Sequence, residues 1–235
     1  MSWRFIDTHC HFDFPPFTGD ERASIQRACE AGVEKIIVPA TEAAHFPRVL
    51  ALAARFPSLY AALGLHPIVI ERHADDDPDK LQQALAQQQN VVAVGEIGLD
   101  LYRDAPQFAR QERFLDAQLQ LAKRYDLPRT GVVHGFAGSL QQAERFVRLG
   151  YKIGVGGTIT YPRASKTRDV MARLPLDALL LETDAPDMPL KGFQGQPNRP
   201  EQAARVFDAL CELRPEPAEV IADTLYRNTI TLFRL

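Results

Sequence analysis

Two histidines two positions apart close the first apolar run of the chain, Phe5-Ile6-Asp7-Thr8-His9-Cys10-His11. Side chains alternate faces along a strand, so His9 and His11 share a face and Cys10 takes the other. At that spacing two imidazoles can close on one cation. An isolated H-x-H is more often an ordinary polar pair where a strand runs out, so its weight depends on what accompanies it. His134 closes the run TGVVHGF on the face of Val132, although a lone strand histidine is more often a hydrogen-bonded core residue. Glu96 ends VGEIGLD on the face of Val92 and Val94, beside glycines that permit close approach, and its two oxygens could bridge two cations. The run LLLETDAP turns Leu180, Glu182 and Asp184 to one face. Burying two acids at a strand end is expensive unless a cation or donors compensate. His9, His11, Glu96, His134 and Asp184 therefore predict a divalent-metal site. His66 also closes a strand, whereas His45 and His73 fall in helix or loop sequence and are expected to be exposed.

Seven short apolar or β-branched runs carry these residues: Phe5–His11, Lys35–Ala40, Leu59–His66, Val91–Leu99, Gly131–Phe136, Tyr151–Gly157 and Leu179–Asp184. Helix-period sequence lies between them. Glu21–Gly32 stops on its glycine, and Phe108–Tyr125 has apolar Phe114, Leu115, Leu119, Leu121 and Ala122. Ser139–Leu149 begins at a good N-cap, Asn198 with Pro200 and Glu201 resembles a capped start for Ala203–Leu213, and a last helix runs from Pro217 to about Leu225. The glutamine-rich Leu81–Gln89 reads as a surface helix. Strand–helix alternation gives a parallel sheet. Polar residues at the ends of many strands favour an α/β, TIM-barrel-like (β/α) barrel over a doubly wound sheet, because barrel loops converge on one mouth.

The chain of 235 residues, 46% hydrophobic and 24% charged, suits one domain over residues 1–235, and no linker or repeat divides it. No basic and apolar leader precedes Trp3, and no apolar stretch approaches the ~20 residues that span a bilayer. Cys10, Cys29 and Cys211 are an odd set without metal spacing, which predicts reduced thiols in a cytoplasmic protein. With net charge -3 there is no overall basic field for nucleic acid, so such a substrate would be held locally.

The motifs DTHCHFD, GLHP, GEIGLD, VHGF-x-GS and LETDAPD occur in this order over essentially the whole chain, and together they resemble the TatD-type metal-dependent deoxyribonucleases, within them the YjjV branch. The resemblance implies a TIM barrel with two divalent cations (Zn, Mg or Mn) at its mouth, hydrolysing phosphate esters. It implies that His9, His11 and Asp184 hold one cation, that Glu96 bridges, and that His134 belongs to the second.

One unit of the family pattern is missing. After the long fourth helix the pattern has a strand reading roughly LPVILHSR, whose histidine is the other ligand of the second metal, and then a helix. Here Tyr125-Asp126-Leu127-Pro128 runs straight into Arg129-Thr130-Gly131-Val132. The barrel thus has seven readable strand–helix units instead of eight, and the second metal keeps Glu96 and His134, a weak set for zinc. Loss of a strand is also expected to leave open edges or a strained ring.

In an intact site, two-metal hydrolysis would use Asp184 and Glu96 as the catalytic carboxylates, with Asp184 orienting a water or taking its proton. The segment TITYPRASKTR adds Tyr161, Arg163, Lys166 and Arg168, cations beside an aromatic that suit a phosphodiester with an unstacked base. A solvated loop and helix start would carry the same residues. His66 is expected either to contact substrate phosphate or to hydrogen-bond behind the ligands. The substrate expected is DNA, attacked at its ends, or another phosphate ester, with no membrane and no obligate protein partner. Two other readings remain: an amidohydrolase acting on a small amide or ester, although Glu96 stands where those barrels usually place a carboxylated lysine, and a metal-binding barrel that is inactive or poorly folded.

Overall fold

The structure is a computed structural model and describes residues 3–87, 90–102, 105–128 and 130–235. Its elements run β1 (Phe5–Asp7), α1 (Glu21–Glu30), β2 (Val33–Pro39), α2 (Phe46–Arg55), β3 (Leu59–Leu63), α3 (Asp77–Gln87), β4 (Val91–Val94) and α4 (Phe108–Arg124). They continue through β5 (Val132–Val133), α5 (Leu140–Arg148), β6 (Lys152–Val155), α6 (Ser165–Arg173), β7 (Leu179–Leu181), α7 (Ala203–Leu213) and α8 (Ala218–Phe233). Each of these seven strands is followed by a helix, and α8 ends the chain. The junction Pro128–Arg129 includes Arg129, and the expected helix Leu81–Gln89 includes Gln88 and Gln89; these three lie outside the described residues.

Two compact units emerge, one of residues Met1–Ile37 with Thr130–Leu235 and one of Val38–Arg129. In the first, β5, β6 and β7 form a parallel row in that order, and β1 pairs in parallel with β2. Hydrogen bonds from Thr8 N–H to the Leu181 carbonyl (3.0 Å), from Asp184 N–H to that of His9 (2.9 Å) and from His11 N–H to that of Ala185 (2.7 Å) lace the end of β1 onto the end of β7. The N- and C-terminal parts of the sequence therefore meet at one corner. Helix α7 buries Ala203, Val206, Phe207 and Leu210, the spacing of one helical face, and the Phe207 ring lies 4.9 Å from that of Phe5. Helix α8 packs on β1 and β7. In the second unit β3 pairs in parallel with β4, and Ala40, just past β2, donates to Ala62 of β3.

Several boundaries differ from expectation. Regular strand β1 ends at Asp7, though residues 8–11 remain bonded to their neighbours as above. Helix α8 runs past Leu225 to Phe233, because Leu225, Thr229 and Phe233 continue its buried stripe at four-residue spacing. Leu119 of α4 is exposed while Phe114, Leu121 and Ala122 are buried. Ser139 caps α5 through a capping box with Gln142. Asn198 does not cap α7: a 3-10 turn at Pro200–Gln202 leads into that helix, and the Asn198 amide bonds the carbonyl of Thr183 in the turn after β7. Within TITYPRASKTR, a 3-10 turn covers Gly157–Thr160 and α6 begins at Ser165.

Candidate metal centre

At the corner where β1 meets β7, the Nε2 atoms of His9 and His11 lie 3.3 Å apart, and Asp184 Oδ1 lies 3.5 Å from the first and 3.7 Å from the second. His9 is buried, and the other two are half-buried. Three donor atoms about a cation with ligand distances near 2.0–2.2 Å would stand ~3.3–3.6 Å apart in tetrahedral geometry. The donor set and its spacing thus fit a divalent cation. The His134 ring stacks on that of His9, with centroids 3.8 Å apart and planes 8° from parallel, so β5 delivers its histidine to the same corner.

What holds Asp184 there is a polar pin between Asp7 and Thr183, motif residues whose role sequence reasoning missed. Asp184 takes a left-handed backbone conformation, φ +60°, which costs a non-glycine residue and needs support. Asp7, wholly buried, accepts from Thr183 Oγ1 (2.6 Å), from Thr183 N–H (3.0 Å) and from His9 N–H (3.3 Å). Thr183 Oγ1 in turn accepts from Ala185 N–H at 3.1 Å. Burial pushes the Asp7 carboxyl up to about 8, against the pull of these three donors. Asn198 closes the far side, donating to the carbonyls of Thr183 (2.9 Å) and Met188 (3.1 Å). The signal in the sequence was Asp7 itself, an acid inside an apolar run.

Glu182 points the other way from a ligand's role. Its Oε1 accepts from Gly135 N–H at 2.8 Å, beside His134, and Gly154 leaves it room: a Cβ there would overlap the carboxylate. Cys10 is buried and its thiol is pushed far up by that burial, which keeps it protonated.

In the second unit, Glu96 follows β4 and faces His66, with Nε2 2.9 Å from Glu96 Oε1. Ile68 N–H donates to His66 Nδ1 at 3.0 Å, which leaves the proton on Nε2, so His66 donates to the carboxylate. The glycine that permits this is Gly64 of GLHP rather than Gly95 or Gly98, since a Cβ on Gly64 would meet the Gly95–Glu96 peptide at 2.5 Å. Two buried glutamines of α4, seven residues apart on one face, hold the loops that carry this pair. Gln118 accepts from Leu65 N–H (2.6 Å) and donates to the Leu65 carbonyl (3.3 Å). Gln111 does the same for Asp100, at 2.7 and 2.8 Å. Each side-chain amide imitates a strand neighbour. Sequence periodicity hides both, because a polar residue on a core face reads as noise. His73, expected exposed, is buried: its Nε2–H donates to the His66 carbonyl at 2.9 Å, and burial holds its pKa below the ordinary 6.5. His45 is half-buried, 3.0 Å from Thr41 Oγ1 through Nδ1.

Tyr161 donates its hydroxyl to the Pro189 carbonyl at 2.6 Å, with the Arg163 guanidinium 5.6 Å from its ring centroid. Arg163 and Lys166 are exposed. Arg168 bonds the Ile159 carbonyl and so serves its own loop.

An α/β chain whose described residues form seven strand–helix units, with a histidine–carboxylate cluster where β1 meets β7, belongs to the TIM-barrel-like metal-dependent hydrolases. The family model of the TatD-related DNases matches residues 6–130 and 128–234, and this chain belongs to that family. It is 68% identical over 258 aligned positions to the uncharacterized metal-dependent hydrolase YjjV of Escherichia coli, with both chains covered in full. The crystal structure of that TatD homologue matches with a TM-score of 0.97, again over the whole of both chains. A TatD-family hydrolase structure from Entamoeba histolytica, 21% identical, shares the fold with a TM-score of 0.85 over 99% of each chain. The 3'-5' ssDNA/RNA exonuclease TatD of Pantoea vagans is 28% identical over 93% of this chain and 95% of its own. An alignment of 258 positions to a 235-residue chain requires residues that this chain lacks, and the family match breaks at residues 128–130. The strand–helix unit expected to be missing from the family pattern would lie at that break. Among the described residues, no helix is long and apolar enough to cross a membrane.

Proposed function

We propose that this chain is a TatD-type deoxyribonuclease, a divalent-metal hydrolase of phosphate esters acting at DNA ends, with one tight cation on His9, His11 and Asp184. The observation that carries this reading is the convergence of those three donor atoms within 3.3–3.7 Å at one corner. The exonuclease name of the TatD relatives supports the choice of nucleic acid as substrate. Glu96, as bridging carboxylate, and His134 are the further ligands that the family pattern implies. We propose Asp184 and Glu96 as the catalytic carboxylates, within a single hydrolase domain that works in the cytoplasm without an obligate protein partner.

A bound divalent cation would supply a water of lowered pKa and offset phosphate charge. The chain's own part begins with Asp184, whose carboxylate oxygens would orient the attacking water and accept its proton. The Asp7–Thr183 pin fixes the turn, so that Asp184 does not reorganise during the reaction. His66, with its proton on Nε2, steers the Glu96 carboxylate instead of gripping phosphate itself. Tyr161, Arg163 and Lys166 lie on the loop after β6, where exposed cations beside a ring suit a phosphate and an unstacked base.

The second metal site is proposed to be incomplete and activity reduced. The half-exposed strands β4 and β5, on either side of the missing unit in sequence, favour that reading. The test is hydrolysis by metal-stripped and metal-restored protein of a labelled single strand and of a covalently closed duplex circle. Metal-dependent loss of nucleotides from the single strand is expected. Equal cutting of the circle would contradict end-directed action, and hydrolysis of carboxylic esters or amides alone would move the chain to an amidohydrolase activity.

A further inference from the structure

We propose that the loops after β6 and β7 form a ridge that binds single-stranded nucleic acid beyond the nucleotide at the metal cluster, with Phe193, Arg205 and Lys191 as its outer part. This rests on the nuclease reading above and adds to it a contact for the strand that is not being cut. Phe193 and Lys191 lie in the loop that follows β7 and carries Asp184, and Arg205 is in the first turn of α7. The Arg205 guanidinium stands 5.0 Å from the Phe193 ring centroid, as Arg163 stands 5.6 Å from that of Tyr161. Two arginine–aromatic pairs thus occur, one within the loop after β6 and one between the loop after β7 and the start of α7.

The loops are fastened together. Tyr161 Oη donates to the Pro189 carbonyl (2.6 Å), Lys191 N–H donates to Thr160 Oγ1 (3.0 Å), and Phe193 N–H turns back to the Leu190 carbonyl (2.9 Å). Gly157 packs so closely that a Cβ would meet Leu190 Cδ1 at 2.9 Å and the Met188 carbonyl at 3.0 Å. Beside these fastenings a cleft is lined by Gly156, Gly157, Met188 and Asp184, so the two loops share a cavity wall with the candidate metal residue. Arg163, Lys166, Lys191 and Arg205 are all exposed on a chain whose net charge is -3, with Asp187 the exposed acid of the same loop. A preformed ring face offers stacking to any base, and the guanidinium over it offers donors to phosphate. That combination recognises a single strand without reading its sequence. A duplex, whose bases are stacked on one another, would gain only the charge.

The test is fluorescence anisotropy of a labelled oligothymidylate of about 12 nucleotides, titrated in chelator with the full chain and with variants, over a range of salt. Phe193→Ala with Arg205→Ala should weaken binding about tenfold and flatten the salt slope by about 0.7, the share of one cation on a single strand. Phe193→Trp should bind at least as tightly as the parent, which separates stacking from a folding defect. Arg227→Ala, an exposed arginine on α8, is the control for charge alone. Unchanged affinity and slope in the double variant would overturn the ridge. If the parent binds no single strand yet hydrolyses bis(4-nitrophenyl) phosphate, the ridge falls and the hydrolase reading stands. If it does neither, both fall.

Discussion

The corner where β1 meets β7 and the two strands that bracket the missing unit are built to different standards. Strands β1 and β7 are buried throughout, and their ends are pinned by Asp7, Thr183 and Asn198. Every residue of β4 and of β5 is half-exposed, while β3 and β6 are mostly buried. Apolar Leu119 on α4 and Phe146 and Leu149 at the end of α5 are also exposed. The proposed ligands His9, His11 and Asp184 come from the corner, where buried hydrogen bonds set the turn that carries Asp184. Glu96 and His134 come from the ends of the weaker strands. On the proposed reading, residues missing from the middle of the chain would spare the first cation site and impair the second, because the first is assembled by contacts between the chain's two end regions.

The largest effect should come from breaking the corner's own chemistry. Asp184→Asn is expected to lower metal-dependent phosphodiester hydrolysis at least ~100-fold, the scale of losing a catalytic acid or base. Initial rates with metal add-back measure this, and an undiminished rate would place the activity elsewhere. Elemental analysis after gel filtration should meanwhile find one tightly held divalent cation in the parent chain, and two would put the weaker strands on a par with the corner.

Repairing the weak side is the complementary experiment. A strand–helix unit of the LPVILHSR type inserted between Pro128 and Arg129 should bury a few hundred Å² of apolar surface, worth about 5–10 kcal/mol. The repaired chain should melt higher, bind less apolar dye, associate less and gain the second cation. If the parent already melts as high and as cooperatively, its half-exposed strands are not a weakness.

Smaller effects should distinguish the two anchoring devices. Thr183→Val keeps the shape but removes the hydroxyl between Asp7 and Ala185 N–H, at a cost of about 1–3 kcal/mol. It should also lower affinity for the tight cation, read by competition with a chelating dye. Gln118→Leu strips Leu65 of both its side-chain contacts at a similar cost of about 1–3 kcal/mol, but should leave that cation's affinity as it was. Equal loss of affinity in both variants would erase the distinction between corner and edge.

The smallest effect is one of pH. Burial holds His73 below 6.5, so its contribution to stability is complete above that value and is lost as pH falls through the lower folded pKa. Thermal melts at pH 7.5 and 5.5 (values chosen to straddle 6.5) should show acid destabilisation that His73→Phe reduces.

The place of a missing unit came from the resemblance to the family, while residue types and spacing alone determined the strand–helix alternation, the seven units and the histidines and acids at strand ends. Those features are local, since H-x-H on an extended run or Glu followed two residues later by Asp is legible without knowing what stands opposite. The tertiary structure decided which polar residues hold the site and which hold the scaffold. Glu182 and Asp184 look alike in LETDAP, yet Glu182 braces Gly135 and Asp184 faces two imidazoles. Asn198 reads as a helix cap and instead ties the Asp184 turn, and Gly64, not the glycines beside Glu96, admits that residue's backbone. Gln111 and Gln118 carry no local mark at all. A side chain's chemistry is written in its own sequence, but its role depends on a partner that may be 50 or 170 residues away (|i−j| is 53 for Gln118 with Leu65 and 176 for Thr183 with Asp7), and only the folded chain brings that partner to it.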